Sequence, residues 1–293
     1  MHFAIIARVL GMLLVIFSFS MLTPVLVAFI YGENTSPTFV LAFAITLIIG
    51  MIFWLPSRQA RGELRTRDGF LVTVFFWLVL SSFGALPLML SDALNLSFID
   101  ALFESVSGLT TTGATVIAGL DNLPKSILYY RQQLQWLGGI GIVVIAVAIL
   151  PMLGVGGMQI YRAETPGPMK DSKLTPRITE TANVLFRIYL CLTIACALAY
   201  WAAGMSGFDA ISHSFSTVSI GGFSTHDASI GFFDNSAIMA ICCFFMIIAG
   251  LNFALHFHAW HSRRPSMYWA DPEARMYLFL LVVGAIITCC YLY

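Results

Sequence analysis

The sequence predicts an all-α integral membrane protein built around a repeated unit of helix, re-entrant half-helix, loop and helix. Three observations predict it. Of 293 residues, 59% are hydrophobic and only 10% are charged, where soluble domains carry about 25%, and the mean hydropathy is +0.86. Seven apolar stretches approach or exceed the roughly 20 residues that a helix needs to cross a bilayer, at 4–30, 38–55, 69–90, 132–153, 182–204, 236–258 and 275–293. Two connections between them, 91–130 and 205–235, each hold a short semi-apolar segment followed by a run of Ser, Thr and Gly.

Composition also narrows the function. Fifteen basic residues balance fifteen acidic ones, so no net field gathers nucleic acid, and nucleic-acid binding is excluded. Cys191, Cys196, Cys242, Cys243, Cys289 and Cys290 all fall in apolar runs, where a thiol behaves as a small hydrophobe. The first stretch resembles a secretory leader, but it runs on past 25 residues with no small-x-small site before Tyr31. An uncleaved first helix is expected.

Basic residues set the orientation, because Lys and Arg are retained in the cytoplasm while Asp and Glu hardly matter. Segment 56–68 carries Arg58, Arg61, Arg65 and Arg67; 154–187 carries Arg162, Lys170, Lys173, Arg177 and Arg187; 259–275 carries Arg263, Arg264 and Arg275. With Arg8, thirteen of fifteen lie on one side, and only Lys125 and Arg131 lie on the other. The amino terminus is expected in the cytoplasm, and 91–130 and 205–235 outside.

The outside connections carry the functional signal. The first runs from Phe98 to Leu109 and then reads Thr110-Thr111-Thr112-Gly113-Ala114-Thr115; the second runs from Phe208 to Val218 and then reads Ser219-Ile220-Gly221-Gly222-Phe223-Ser224. Semi-apolar segments this short do not span but can re-enter. An offset of 109 residues sets Asp100 on Asp209, Ala101 on Ala210, Ser105 on Ser214, Ser107 on Ser216 and Gly113 on Gly222. The stretches after each loop carry a central glycine, Gly139 and Gly250, so the repeated unit includes the flanking spans.

A cation stripped of water needs several oxygen dipoles, and irregular backbone at membrane depth is tolerated only where it lines a polar path. A half-helix aims its negative carboxyl end at such a path. Gly113 and Gly222 allow the φ values that turn successive carbonyls to one axis, and Thr and Ser hydroxyls help solvate the strand. One such run reads equally well as a plain loop; two in register favour an ion-lining element.

The run Ser107 to Thr115, the helix start Gln135-Trp136-Leu137-Gly138-Gly139-Ile140-Gly141, the run Leu150 to Gln159 and the stretch Tyr161 to Pro168 resemble the Trk, Ktr and HKT superfamily of potassium transporters, most closely its TrkH family. The resemblance covers essentially the whole chain. It implies two preliminary helices in 1–60 and four repeats around one pore. Repeat one is then 61–157 with its pore loop at 98–115, repeat two is 158–265 with its pore loop at 208–224, and 266–293 is the first helix of repeat three. On that count two of four repeats are present, and the third-repeat gate loop and fourth-repeat pore arginine are absent. The implied potassium-binding filter is Thr110, Thr111, Thr112 and Gly113 with Val218, Ser219, Ile220, Gly221 and Gly222. The implied function is potassium uptake across the bacterial inner membrane through a channel-like pore, as a homodimer docking a cytosolic nucleotide-binding regulatory ring of the TrkA type. No cofactor is implied beyond potassium as the substrate.

Other residues read more modestly. Asp100 and Asp209 are expected to cap their half-helices, with a second reading as cation collectors in an outer funnel. Glu104 and His213 hold equivalent positions, so packing or hydrogen bonding behind the filter suits them better than an asymmetric ion ligand. Of His256, His258 and His261, only the last two can converge on one helix face, and with Trp260 alongside the cluster reads as interfacial rather than as a transition-metal site. Thr175 with Pro176 is expected to start the next helix, and basic segment 162–181 reads as a solvated loop or as the docking face of the ring. A membrane enzyme would need a cluster of ionisable residues within the spans, and a coupled potassium transporter using protons or sodium would need an intramembrane charge. Neither is visible in the sequence.

Overall fold

The computed structural model describes residues 3–60, 66–141 and 178–292, and every regular element among them is helical. Helices α1 (Phe3–Ser20) and α2 (Leu22–Tyr31) form one apolar rod interrupted only at Met21. Gly32 ends the rod in a left-handed conformation, φ 66°, which a residue without Cβ adopts freely. Helix α3 (Ser36–Ser57) carries Pro37 in its first turn and returns along α1. A Cβ on Gly11 would run into the backbone of Gly50, Phe53 and Trp54, so the small residue lets the two backbones approach closely, as membrane helices do.

Helix α4 (Thr66–Gly84) continues through the short α5 (Leu86–Met89), and together they cross from Leu71 to Met89. Helix α6 (Phe98–Leu109) is the first half-helix and α7 (Lys125–Gly139) follows its loop. After the undescribed stretch come α8 (Ile178–Ala202), the second half-helix α9 (Gly207–Val218), α10 (Ser236–Ala249), α11 (Phe253–Ser262), α12 (Met267–Ala270) and α13 (Pro272–Leu292). One core joins Val9, Leu13, Phe17, Phe39, Leu88, Tyr130 and Leu134; a second joins Tyr189, Cys196, Tyr200, Val218 and Phe245.

Five helical segments among the described residues are long and apolar enough to cross a membrane: Phe3–Tyr31, Ser36–Ser57, Leu71–Met89, Asn183–Ala202 and Pro272–Leu292. They match five of the seven expected stretches. The other two differ. Expected span 132–153 is preceded by helix from Lys125, and that helix ends at Gly139; residues 142–153 lie outside the described residues. Expected span 236–258 is broken after Ala249. Gly250 closes the helix against the Tyr277 hydroxyl, and helix resumes only at Phe253. The carbonyl of Ile248, which at the break accepts from the Leu251 N–H at 3.1 Å, also accepts from His256 Nε2 at 2.9 Å, while the Tyr268 hydroxyl pairs with His256 Nδ1 at 2.9 Å. Glycine propagates a helix poorly, and a side-chain donor here meets the resulting backbone need.

The half-helices are twelve residues each, about 18 Å long at 1.5 Å per residue, against a hydrocarbon core of about 30 Å. Their caps are Ser97 and Ser206, which correct the expectation for Asp100 and Asp209. Each serine oxygen accepts from the backbone N–H three residues on, at 3.2 and 3.1 Å, and its hydroxyl donates to the Asp100 or Asp209 carboxylate at 2.7 Å. The aspartates hold the serine hydroxyls in place and stabilise the helix dipole from its first turn, each serine cap being worth about 1 kcal/mol.

Both half-helices invert the amphipathicity of a soluble helix. Helix α6 buries Glu104, Ser105 and Ser107 and exposes Phe98, Ile99, Phe103 and Val106; α9 buries Ser212, His213, Ser214, Ser216 and Thr217 and exposes Ile211. Polar side chains face the protein because hydrogen-bonding partners exist only there once the outer surface meets lipid.

Candidate functional site

Each half-helix ends in the same backbone figure. After Leu109, the N–H of Thr110 donates to Val106 O, that of Thr111 to Gly108 O and that of Thr112 to Ser107 O; after Val218, the N–H of Ser219 donates to Phe215 O, that of Ile220 to Thr217 O and that of Gly221 to Ser216 O. Every pair is related by 109 residues. Thr111 and Ile220 share a left-handed φ of 55°, and Gly113 and Gly222 follow at φ 78° and 86°. A left-handed β-branched residue is a genuine outlier, and such strain persists only where surrounding structure over-determines it. The repeat read from side-chain identity is therefore also a repeat of conformation.

The expected filter residues divide by role. The Thr110 hydroxyl turns back to Val106 O at 2.7 Å and pairs with that of Thr112 at 2.8 Å, while the Ser219 hydroxyl donates to Ser216 O at 3.2 Å. Val218 is the last residue of its half-helix, with a buried side chain, and its match is Leu109; the symmetric set is thus Thr110–Gly113 with Ser219–Gly222. Among the described residues, the carbonyl oxygens of Thr110, Thr111, Thr112, Gly113, Val218, Ser219, Ile220, Gly221 and Gly222 accept no hydrogen bond. Thr110, Thr112, Ile220 and Gly222 are exposed, so these oxygens are open to a partner from outside the protein. The loops approach closely where a Cβ on Gly113 would collide with the Gly221 carbonyl oxygen.

Behind the loops lies a charged pair that the sequence did not betray. Arg131 and Glu104 are both 0% exposed. Glu104 Oε1 accepts from Arg131 Nε at 2.8 Å, and the same carboxylate accepts from the Thr115 hydroxyl and, at 3.2 Å, from the Val116 N–H. Arg131 Nη2 donates to Thr115 Oγ1 at 2.9 Å, Nη1 donates to Ser224 O at 3.3 Å, and the guanidinium sits 4.4 Å from the centre of the Phe223 ring. Arg131, expected as a charge in the connection between spans, is instead buried within helix α7. A charge assigned by its place between apolar stretches is instead neutralised by a carboxylate 27 residues earlier, the arrangement a buried charge requires.

In the second loop the equivalent tie is neutral. His213 Nδ1 donates to Asp209 O at 2.9 Å and Nε2 pairs with Ser224 Oγ at 3.0 Å, as Glu104 pairs with Thr115. Hydrogen bonding behind the loops is thus the geometry of both residues. Among the described residues no group of three His, Cys, Asp or Glu side chains is placed to hold a metal ion; the side chains of His258 and His261, and the expected helix start at Thr175, lie outside the described residues. Trp260 is exposed.

A second link joins the loops nearer their ends. His226 Nδ1 meets Asp121 Oδ1 at 2.5 Å, the Gly119 N–H donates to Asp227 Oδ1 at 2.9 Å, and His226 stacks on Phe232. The bond from His226, with a backbone bond from Asp227, lowers the Asp121 carboxyl below its ordinary value of 3.8. A depressed acid stabilises above its unfolded pKa and loses that contribution as pH falls through its folded value. Amide exchange at Asp227, whose N–H donates to Asp121 Oδ2, corrected for the intrinsic rate, should therefore stay slow at neutral pH and accelerate only below the ordinary carboxylate range. Acceleration already near pH 6 would contradict this link.

A family model described as TrkH, cation transport protein, matches residues 35–292. The chain belongs to the TrkH family. The Trk system potassium uptake protein TrkH of Halomonas elongata is 61% identical over 287 residues, covering 98% of this chain and 59% of that protein. TrkH of Escherichia coli is 57% identical over 286 residues, covering 97% and 59%. The crystal structure of the potassium transporter TrkH from Vibrio parahaemolyticus matches with a TM-score of 0.84 at 54% identity, over 97% of this chain and 57% of that one. The chain thus spans a little under three fifths of the length of these TrkH relatives. The resemblance seen in the loop and helix-start residues is borne out, together with the all-helical membrane fold.

Proposed function

We propose that the loops after α6 and α9 supply two walls of a potassium path through the bacterial inner membrane, the remaining walls coming from further repeats of the same unit, with repeats one and two divided as 61–157 and 158–265. The donor-free carbonyls at Thr110–Gly113 and Val218–Gly222 carry this reading. Carbonyl dipoles held in strained, matched loops replace the hydration shell of a cation, and two half-helix carboxyl ends add their negative potential. Potassium is the substrate class because the relatives are named as potassium uptake proteins. Transport of this kind needs no catalytic residue and no cofactor. Conduction is favoured over coupled symport because the buried charges, Glu104 and Arg131, are spent on each other and sealed from the loops' open face.

Residues 1–293, reconstituted as a demonstrated monomer, should insert into liposomes without potassium-selective flux, since two loops give a dehydrated ion at most half its ligands. A full-length chimera joining this segment to the remainder of the Escherichia coli relative should favour potassium and rubidium over sodium. Selective flux from the monomer, or an unselective chimera, would overturn the reading.

A cytoplasmic amino terminus is supported by thirteen basic residues on one side of the spans. Cysteines introduced near Lys173 should resist labelling from outside intact cells, and those near Asp121 or Asp227 should react; the reverse pattern would invert the topology. The same cytoplasmic face is proposed to dock a nucleotide-binding regulatory ring in a homodimeric assembly, a reading that the family resemblance supports and that co-purification of such a ring with the chimera would test.

A further inference from the structure

One face of α7 touches both loops. Residues 131, 135, 138 and 139 share that face by helical spacing. Arg131 holds Thr115 of the first loop and the Ser224 carbonyl of the second. One turn on, Gln135 Oε1 accepts from the Phe223 N–H at 3.1 Å, and its amide lies against Gly221. A further turn on, Gly138 admits the Leu109 carbonyl and Gly139 admits the Ser219 side chain. The helix is thus wedged between the two half-helix ends.

We infer that Arg131 is a positioning residue for both loops: one buried guanidinium sets the separation of the two rows of carbonyls and so the size of ion they accept. Three features carry the inference. The guanidinium is a planar fork, so Nε, Nη1 and Nη2 hold three partners at fixed mutual angles. Its contacts cross from one repeat to the other beside the rows of carbonyls, whereas the backbone hydrogen bonds that form each half-helix end stay within that end. Its charge is cancelled by Glu104, so it adds rigidity without a net positive charge that would repel the cation. The inference rests on the proposed filter, and the loop coupling it requires can be measured without any ion.

Two variants test it in the chain as it stands and in the full-length chimera. Arg131→Lys keeps the charge for Glu104 but cannot reach three partners; Thr115→Val removes the hydroxyl that joins both charges and leaves the charge pair intact. Hydrogen exchange at the amides of residues 112–116 and 221–225 should rise together in either variant, by about tenfold or more, the scale of one lost bond to a charged group. A rise confined to the first loop in both variants would overturn the inference. In the chimera, the potassium-to-sodium flux ratio should fall by a similar factor in Arg131→Lys, and an unchanged ratio beside a selective parent would also overturn it. If the parent chimera is itself unselective, the filter reading fails and the exchange data alone decide the coupling. Should Arg131→Lys not fold, Thr115→Val carries both comparisons.

Discussion

Replacing Gly113 with alanine should abolish potassium selectivity in the full-length chimera, whereas the same change at Gly222 should only weaken it. Both glycines occupy the left-handed region, at φ 78° and 86°, so each alanine incurs about 1–2 kcal/mol of backbone strain. The difference lies in what the new methyl meets. At Gly222 nothing stands within 4 Å, but at Gly113 the methyl would fall on the Gly221 carbonyl oxygen, one of the oxygens offered to the ion. Relieving that overlap requires the two loops to move apart, a further cost of about 1–3 kcal/mol by the scale of overpacked sites. Permeability ratios for potassium and sodium, measured at equal protein density, check this. Equal losses at the two positions would show that the close approach of the loops is immaterial.

Removing the Glu104 side chain should be the most destabilising single change in either half-helix. Glu104→Ala deprives Arg131 of its counter-charge at a site where both residues are fully buried, and breaking a buried pair from one side costs about 3–5 kcal/mol. It also strands the Val116 N–H and the Thr115 hydroxyl, which both donate to the carboxylate. Glu104→Gln keeps an acceptor of the same shape and should lose less. His213→Ala, at the matching neutral position, should cost about 1–3 kcal/mol, the range for orphaned hydrogen-bond partners. Thermal unfolding in detergent ranks the three; a Glu104→Ala protein within about 1 kcal/mol of the parent would mean that Arg131 finds another partner.

Much of the architecture was legible because hydropathy and membrane thickness dictate it. Both half-helices lie where a short semi-apolar segment precedes Ser/Thr/Gly, and the 109-residue offset seen in side chains reappears in hydrogen bonds and φ angles. The breaks at Gly139 and Gly250 were not legible, because an apolar run continues through each glycine and hydropathy reports lipid affinity, not hydrogen-bond continuity. Ser97 and Ser206 lost the cap to their aspartate neighbours for a similar reason. The serine oxygen takes the backbone N–H and the aspartate only holds the serine hydroxyl, yet the charged residue draws the eye. Arg131 was misplaced because a rule that sorts basic residues between spans treats each as solvated. Only contact with Glu104, in another helix, shows otherwise. The run from Gln135 to Gly141 did signal that something at the start of that helix mattered, without showing that its side chains reach across to the second loop.

The correspondence of the repeats stops at α7. Aligning Gly139 with Gly250 sets Cys242 where Arg131 stands, and Cys242 carries no charge and lies near Thr217 instead. Because the one guanidinium already reaches Ser224, the second unit needs neither an arginine nor a carboxylate to answer it, and a histidine can occupy the place of Glu104. Duplication therefore left two units that are not interchangeable. The first is the anchor of the second, and a change in α7 is inherited by both loops, while a change in α10 remains local.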